Sequence, residues 1–247
     1  MCLPSIEIWL YQDDFTSLSP LISRLPALQM ERALQLHGRR QREFVIGRSL
    51  LSLAIQRNSA SNNWLINERP NLSPIVEHPS EQFISNISHS KGWVALAFCK
   101  TPVDPHMSIG LDIEGIKPRE QFAAADFFCN ASQLRQLKAK TSNQDKSRYF
   151  SLLWTQKEAY FKAHQQTIWN SQIKTVSFNE NRPEDAAQHQ KMRSAYDGQA
   201  LVLSVFCNTL SDINVWRFSE ISSSGTRNTN PVNLQWLSYS VTGGSHQ

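Results

Sequence analysis

Residues 109–115 read Ile-Gly-Leu-Asp-Ile-Glu-Gly. Ile109, Leu111 and Ile113 alternate with Gly110, Asp112 and Glu114, the period of a β-strand, in which successive side chains point to opposite faces. The apolar set is expected to enter a core. Asp112 and Glu114 then stand side by side on the other face, roughly 7 Å apart at the backbone. Like charges so placed repel each other unless they share a cation or are well solvated. Gly110 beside them leaves room for something to approach.

A second stretch answers the first. Helical patterning begins near Asp145, where Phe150, Leu153, Trp154 and Phe161 recur at three- and four-residue steps. Within it, residues 154–163 read "WTQKEAYFKA", and Glu158 and Lys162, four apart, share a face. Trp154 lies one turn before Glu158 and Phe161 three residues after it, which sets the carboxylate at the edge of the apolar stripe. Asp112, Glu114 and Glu158 together make an all-oxygen set of the kind that suits Mg²⁺, which keeps waters and substrate phosphates in its other positions. An exposed acidic pair on the strand and an ordinary surface Glu–Lys pair on the helix remain open alternatives.

Upstream, "ERALQLHGRRQREFVIGR" gathers Arg32, Arg39, Arg40, Arg42 and Arg48. Arg39 and Arg42 are three apart and can share a helix face, and arginine forks suit phosphate oxygens. A solvated basic face is the alternative, although a Mg²⁺ site implies a phosphorylated substrate with further phosphates to hold. Residues 86–92, "NISHSKG", are rich in turn formers and precede the apolar run "WVALAF". His89 is therefore expected in a turn at the mouth of a buried strand.

The remaining pattern gives an α+β order: strands and helices in successive groups, without regular βαβ alternation. Strands are expected over 6–11, 82–87, 93–99, 108–116, 174–179, 200–207 and 213–219. Helices are expected over about 20–56, interrupted near Gly38, and over about 120–140. The stretch "SSSGTRNTN" looks like a flexible linker, and "LQWLSYSV" like a terminal strand. The expected divisions are 1–105 and 106–222, followed by a tail over 223–247.

With 247 residues the chain can bury a sizeable core, and its 40% apolar and 19% charged content is ordinary for a globular protein. A net charge of +4 suits an anionic ligand and is far from that of a dedicated nucleic-acid binder. Cys2, Cys99, Cys129 and Cys207 form neither zinc spacing nor a disulfide framework, so a reducing compartment is expected. The opening "MCLPSIEIWLYQDD" lacks the features of a signal peptide, and no apolar run approaches the roughly 20 residues of a membrane span. A cytoplasmic protein is the expectation.

"IGLDIE" followed by "WTQKEAYFKA" resembles the paired signature of 4′-phosphopantetheinyl transferases, and "NISHS" resembles the third motif of the larger, monomeric Sfp-type branch. The three motifs, in order, extend over roughly residues 32–163. The resemblance implies an α+β fold of two similar α/β halves related by pseudo-twofold symmetry, with the active site between them. It implies transfer of the 4′-phosphopantetheine arm of coenzyme A to a serine of an apo acyl or peptidyl carrier protein, releasing adenosine 3′,5′-bisphosphate. By position, Asp112, Glu114 and Glu158 would hold Mg²⁺, and Lys157 and Lys162 would contact the pyrophosphate. Ser88 and His89 would contact phosphate at the nucleotide end, and Arg42 the 3′-phosphate. Asp112, Glu158 and Lys162 would carry the chemistry.

Two departures stand out. Where the family commonly has Gly-(Lys/Arg)-Lys-Pro, "NERPN" offers Arg69-Pro70 with Glu68 in place of glycine, and the loop to Asn86 is longer; by the resemblance Arg69 would supply the charge toward coenzyme A. Where some members carry an additional glutamate that activates the acceptor serine, this chain has Ser132 at or near the position, which leaves Glu158 or a metal-bound hydroxide for that task. The rival readings are another Mg²⁺-dependent phosphotransfer or phosphodiester-cleaving enzyme and, from a different class, a basic nucleic-acid-binding module. Neither nucleic acid nor membrane is an expected partner, and the pathway served is open.

Overall fold

Helix and strand patterning leads to two sets of contacts, seen in a computed structural model whose described residues are 5–61, 63–70, 72–101, 106–116, 122–166, 171–180, 191–197, 201–208, 212–222, 225–232 and 234–242. The chain divides into unit 1, residues 1–107 with 211–233, and unit 2, residues 108–210 with 234–247. Both mix helices with sheet, an α+β arrangement.

Unit 1 begins with β1 (Ser5–Gln12), then α1 (Ser19–Ile22), α2 (Ala27–Gln35) and the long α3 (Gly38–Asn58). A small hairpin, β2 (Leu65–Asn67) and β3 (Ile75–Glu77), leads to β4 (Gln82–Ser90) and β5 (Trp93–Thr101). The main sheet is completed from late in the chain by β10 (Asp212–Ser222) and β11 (Gly225–Pro231), in the order β11-β10-β1-β5-β4. β10 runs parallel to β1, with Ile8 opposite Val215, and every other neighbouring pair is antiparallel. The core joins Val45, Ile46, Leu50, Leu51 and Ile55 of α3 to Trp9, Val94, Leu96 and Phe98 of the sheet.

Unit 2 holds β6 (Ile109–Gly115), α4 (Ala125–Phe128), α5 (Ala131–Ala139) and α6 (Asn143–Ala163). A 3₁₀ turn (Ser171–Lys174) precedes β7 (Ser177–Glu180), β8 (Lys191–Tyr196), β9 (Leu201–Cys207) and β12 (Trp236–Thr242). Its antiparallel sheet has the order β6-β9-β8-β12-β7. Ser142 caps α6, its hydroxyl accepting from the Asp145 amide at 3.0 Å. Phe150, Leu153 and Phe161 of that helix pack with Phe128, Met192, Val202 and Phe206.

Three expectations change. The 106–222 and 223–247 divisions give way to a unit boundary that returns residues 211–233 to unit 1, because β10 finds its partner in β1. The expected linker forms β11, hydrogen-bonded to β10 in a hairpin with Ile221 opposite Thr226. "NISHS" is strand as far as Ser90, and the turn is Lys91-Gly92, with φ of 49° and 82°. Two positive φ values in a two-residue loop match the right-handed twist of the flanking strands. Expected helix residues 120–121, strand residue 200, linker residues 223–224, the last residues 243–247 and Cys2 lie outside the described residues, and Cys99, Cys129 and Cys207 are buried. Among the described residues no helix is long and apolar enough to cross a membrane.

Candidate active site

Gly110 decides how the carboxylates of unit 2 meet. A Cβ added there would lie 1.7 Å from the Ala159 carbonyl oxygen and 2.7 Å from the Ala163 nitrogen. The thing that approaches the glycine is α6 itself, whose small residues Ala159 and Ala163, four apart, let its backbone press on β6. The strand is consequently covered on both faces. Ile109, Leu111 and Ile113 are buried as the alternation requires, and Asp112 is buried too.

This contact puts Lys162 Nζ 2.6 Å from Asp112 Oδ1 and 3.3 Å from the Leu111 carbonyl. Glu158, one turn earlier on the same helix, has its carboxyl pushed up to about 7. Burial is the main cause; Lys162 opposes it, and the neighbouring charges of Asp112 and Glu114 reinforce it. Asp112 and Glu114 are like-charged neighbours of Glu158, so a proton on Glu158 relieves part of their repulsion. An all-carboxylate donor set fits a hard divalent cation in type. Among the described residues, however, no three His, Cys, Asp or Glu side chains are gathered as a metal cluster. Lys162 stands where a cation would meet Asp112.

Lys157 is placed differently from its expected role. It is fully buried, and its Nζ donates to the carbonyls of Ile173 at 2.5 Å and Val176 at 2.8 Å. Burial pushes its ammonium down to about 8, against the opposing influence of Cys129. It ties α6 to the 3₁₀ turn and its exit. Contact with a pyrophosphate would require it to leave both carbonyls and the core. The signal was in the spacing: Lys157 falls three after Trp154, four after Leu153 and four before Phe161, on the apolar stripe itself.

Sequence reasoning also missed a buried polar row under α6. Thr155 Oγ1 and Ser204 Oγ are 2.8 Å apart, Ser204 and Ser194 2.9 Å, and Gln156 Nε2 donates to Ser194 Oγ at 3.3 Å. Ser204 is opposite Asp112 in the β6–β9 register, so this row runs on from the carboxylate across the sheet. A cavity of about 990 Å³ in the same unit is lined by Tyr149, Tyr196, Tyr239, Arg148 and Gln156 among others, and by none of Asp112, Glu114, Glu158 or Lys162. Ser132 is exposed on the first turn of α5.

In unit 1 Arg42 and His89 each meet a carboxylate. Arg42 donates through Nε and Nη2 to the two oxygens of Asp13, at 2.6 and 2.5 Å, and through Nη2 to the Thr16 carbonyl at 3.0 Å. Its guanidinium also lies 5.4 Å over the Phe15 ring. The hydrogen bond from Arg42 is the main reason that Asp13 is held below the ordinary carboxylate range. His89, half-exposed at the end of β4, has Nδ1 3.3 Å from Glu43 Oε2, while Arg39 Nε donates to Glu43 Oε1 at 2.6 Å. Ser88, its neighbour, is buried.

The departure at "NERPN" also has a structural use. Glu68 accepts from Nε and Nη2 of Arg48, both at 2.6 Å, and Arg48 lies 4.8 Å over the Phe44 ring. Arg69 Nε donates to the Ser73 carbonyl at 2.8 Å, and Asn86 Nδ2 to Ser73 Oγ at 2.6 Å. The loop before "NISHS" is thus tied at one end to α3 and at the other to β4.

Comparison with known families is consistent with the motifs in unit 2. Residues 108–203 match the family model described as the 4′-phosphopantetheinyl transferase superfamily, which supports that superfamily and phosphopantetheinyl transfer in general. The matched stretch is less than half of the chain and lies within unit 2. Comparison with curated proteins gives no match.

Proposed function

We propose that this chain is a 4′-phosphopantetheinyl transferase of the larger, Sfp-type branch. It moves the phosphopantetheine of coenzyme A onto a serine of an apo acyl or peptidyl carrier protein and releases adenosine 3′,5′-bisphosphate. The observation that carries the reading is the meeting of β6 and α6, which raises the Glu158 carboxyl to about 7 beside Asp112, Glu114 and Lys162. The family match over 108–203 covers the same two elements. The two similar halves of the family find support in each unit setting a 21-residue helix on a five-stranded sheet. The reading includes a monomer acting in the cytoplasm, with neither nucleic acid nor membrane as partner.

In this reading Asp112, Glu114 and Glu158 hold Mg²⁺. Bound there, the ion would supply positive charge to the pyrophosphate oxygens. Lys162 then exchanges Asp112 for the leaving phosphate, to which its ammonium brings positive charge or a proton. Glu158, one turn of α6 before Lys162, would accept the proton of the attacking serine through water. Arg42, Arg69, Ser88 and His89 receive the phosphates of the nucleotide end. Lys157 is left out, because its ammonium already serves two carbonyls in the core.

The test is intact mass of an apo carrier protein incubated with coenzyme A, with and without Mg²⁺. A gain of one phosphopantetheine that depends on Mg²⁺ supports the reading. Cleavage of coenzyme A without attachment points to a phosphodiester-cleaving enzyme instead.

A further inference from the structure

Asp13 and Glu43 sit where an anion-binding surface would be expected to exclude them. Both line one cavity of about 270 Å³ in unit 1, together with Phe15, Arg39, Arg42 and Gly92. Both side chains are more than nine-tenths buried, and each engages a side chain of the proposed phosphate set. We infer that Asp13 and Glu43 are positioning residues, holding the Arg42 guanidinium and the His89 ring in the orientation that receives phosphate rather than competing with phosphate for them. The inference rests on the proposed binding of coenzyme A.

The geometry of Asp13 supports orientation. Its amide donates to the Gly92 carbonyl at 2.7 Å, which fixes it to the turn that follows His89. Its carboxylate takes the amide of Phe15 at 3.0 Å as well as the fork of Arg42. Phe15 adopts φ of 61°, a left-handed conformation unusual for a bulky side chain, and its ring lies against the guanidinium. Arg42 is therefore gripped through Nε and Nη2 and flanked by an aromatic face, with its Nη1 edge outside the pair. A guanidinium carries five N–H donors in a fixed fork, so the grip on one edge sets the direction of the other.

Glu43, the residue after Arg42 on α3, acts in the same way. One oxygen takes Arg39 and the other lies against His89 Nδ1. A carboxylate on one ring nitrogen fixes the rotation and tautomer of an imidazole, and so decides what the other nitrogen presents. Arg39 itself is largely exposed, so the pair does not bury its charge.

The sign of one measurement separates orientation from charge. Removing a carboxylate beside an anion site removes repulsion, so charge alone predicts that Asp13→Asn and Glu43→Gln bind coenzyme A more tightly. Positioning predicts the reverse. The experiment is calorimetric titration of coenzyme A into wild type, D13N, E43Q and E43D, with thermal melts of each protein and steady-state kinetics with an apo carrier. The expected result is Kd raised about tenfold in D13N and E43Q, the loss of one oriented charge-assisted contact, and a loss seen in KM rather than kcat. E43D keeps the charge but is one methylene short of His89, and it should fall with E43Q. Unchanged or tighter binding in D13N and E43Q, or wild-type binding in E43D, overturns the inference. A wild type that binds no coenzyme A removes the proposed function and the inference together, and is recognised because no variant is involved. Should one variant melt below the assay temperature, the variant at the other position decides.

Discussion

The two units solve the same packing problem with opposite electrostatics. In unit 1 α3 packs on β5 and β4, and in unit 2 α6 packs on β6 and β9; each helix has 21 residues. Around α3 three arginines are paired with carboxylates: Arg42 with Asp13, Arg48 with Glu68, and Arg39 with Glu43. On α6 Lys162 pairs with Asp112, and the Glu158 carboxyl is pushed up by burial first and then by the charges of Asp112 and Glu114. Matched charges fix side-chain positions. An excess of one sign is held at some cost by the fold and is relieved by a ligand of the other sign.

The sharpest way to break this comparison is to remove the excess. Asp112→Ala and Glu158→Ala should each lower transfer by at least ~10²–10³-fold, comparable with losing a group that stabilises charge in the transition state. Asp112→Ala also takes the carboxylate from Lys162 and should melt earlier than wild type, so activities are compared below its melting point, whereas Glu158→Ala should melt close to wild type. A variant that keeps one-tenth of the activity, read by carrier labelling, would remove that carboxylate from the chemistry.

The two glycines at the helix–sheet contacts rank next. In Gly110→Ala the new Cβ meets helix backbone at 1.7 Å, so α6 must move away from β6; ~3 kcal/mol or more of stability should go, together with activity. In Gly47→Ala the nearest atom is Ile87 Cγ2 at 3.2 Å, the end of a side chain that can shift. Chemical denaturation should show a change within about 1 kcal/mol there, because alanine also favours the helix. Equal losses at the two positions would mean that unit 2 has no closer contact than unit 1.

Arg42→Ala should weaken coenzyme A binding about tenfold, by the loss of a charge-assisted contact to phosphate, with a smaller effect on dephospho-coenzyme A. Equal effects on the two ligands would remove the 3′-phosphate from Arg42.

A further effect is in pH. The Glu158 carboxyl at about 7 lies above its ordinary 4.5, so between those values the folded protein holds a proton that the unfolded chain releases. Stability without metal therefore falls as pH rises through that window. Glu158→Gln lacks this dependence, and its advantage over wild type should grow to ~2 kcal/mol by pH 8, allowing for the part of the side chain that solvent reaches. Parallel melting curves from pH 5 to 8 would contradict the burial of this carboxyl.

How much was legible in the chain follows the same division. β6 and α6 could be read because their signals are local: period two in "IGLDIEG" and three- and four-residue steps through Phe161. Those steps also carried Lys157 inward, since side-chain length and charge do not change which face a residue occupies. The partners of the arginines were harder. Glu43 is four residues from Arg39 and could be paired on one helix. Asp13 and Glu68 are distant in sequence from Arg42 and Arg48, and only the folded sheet brings them together. β11 was hidden because "GTRNTNP" is polar and pairs through its backbone, which composition does not report. β10 was visible as a strand, but its choice of β1 as a parallel neighbour is a long-range event.

Group transfer from coenzyme A is the proposed work of the carboxylates on β6 and α6. The most direct measurement is the intact mass of an apo carrier protein after incubation with coenzyme A, Mg²⁺ and either wild type or Asp112→Ala. The account predicts a gain of one phosphopantetheine with wild type and none with the variant over the same time. A carrier of unchanged mass with a folded wild-type protein, across acyl and peptidyl carriers, or equal labelling by Asp112→Ala, would contradict it.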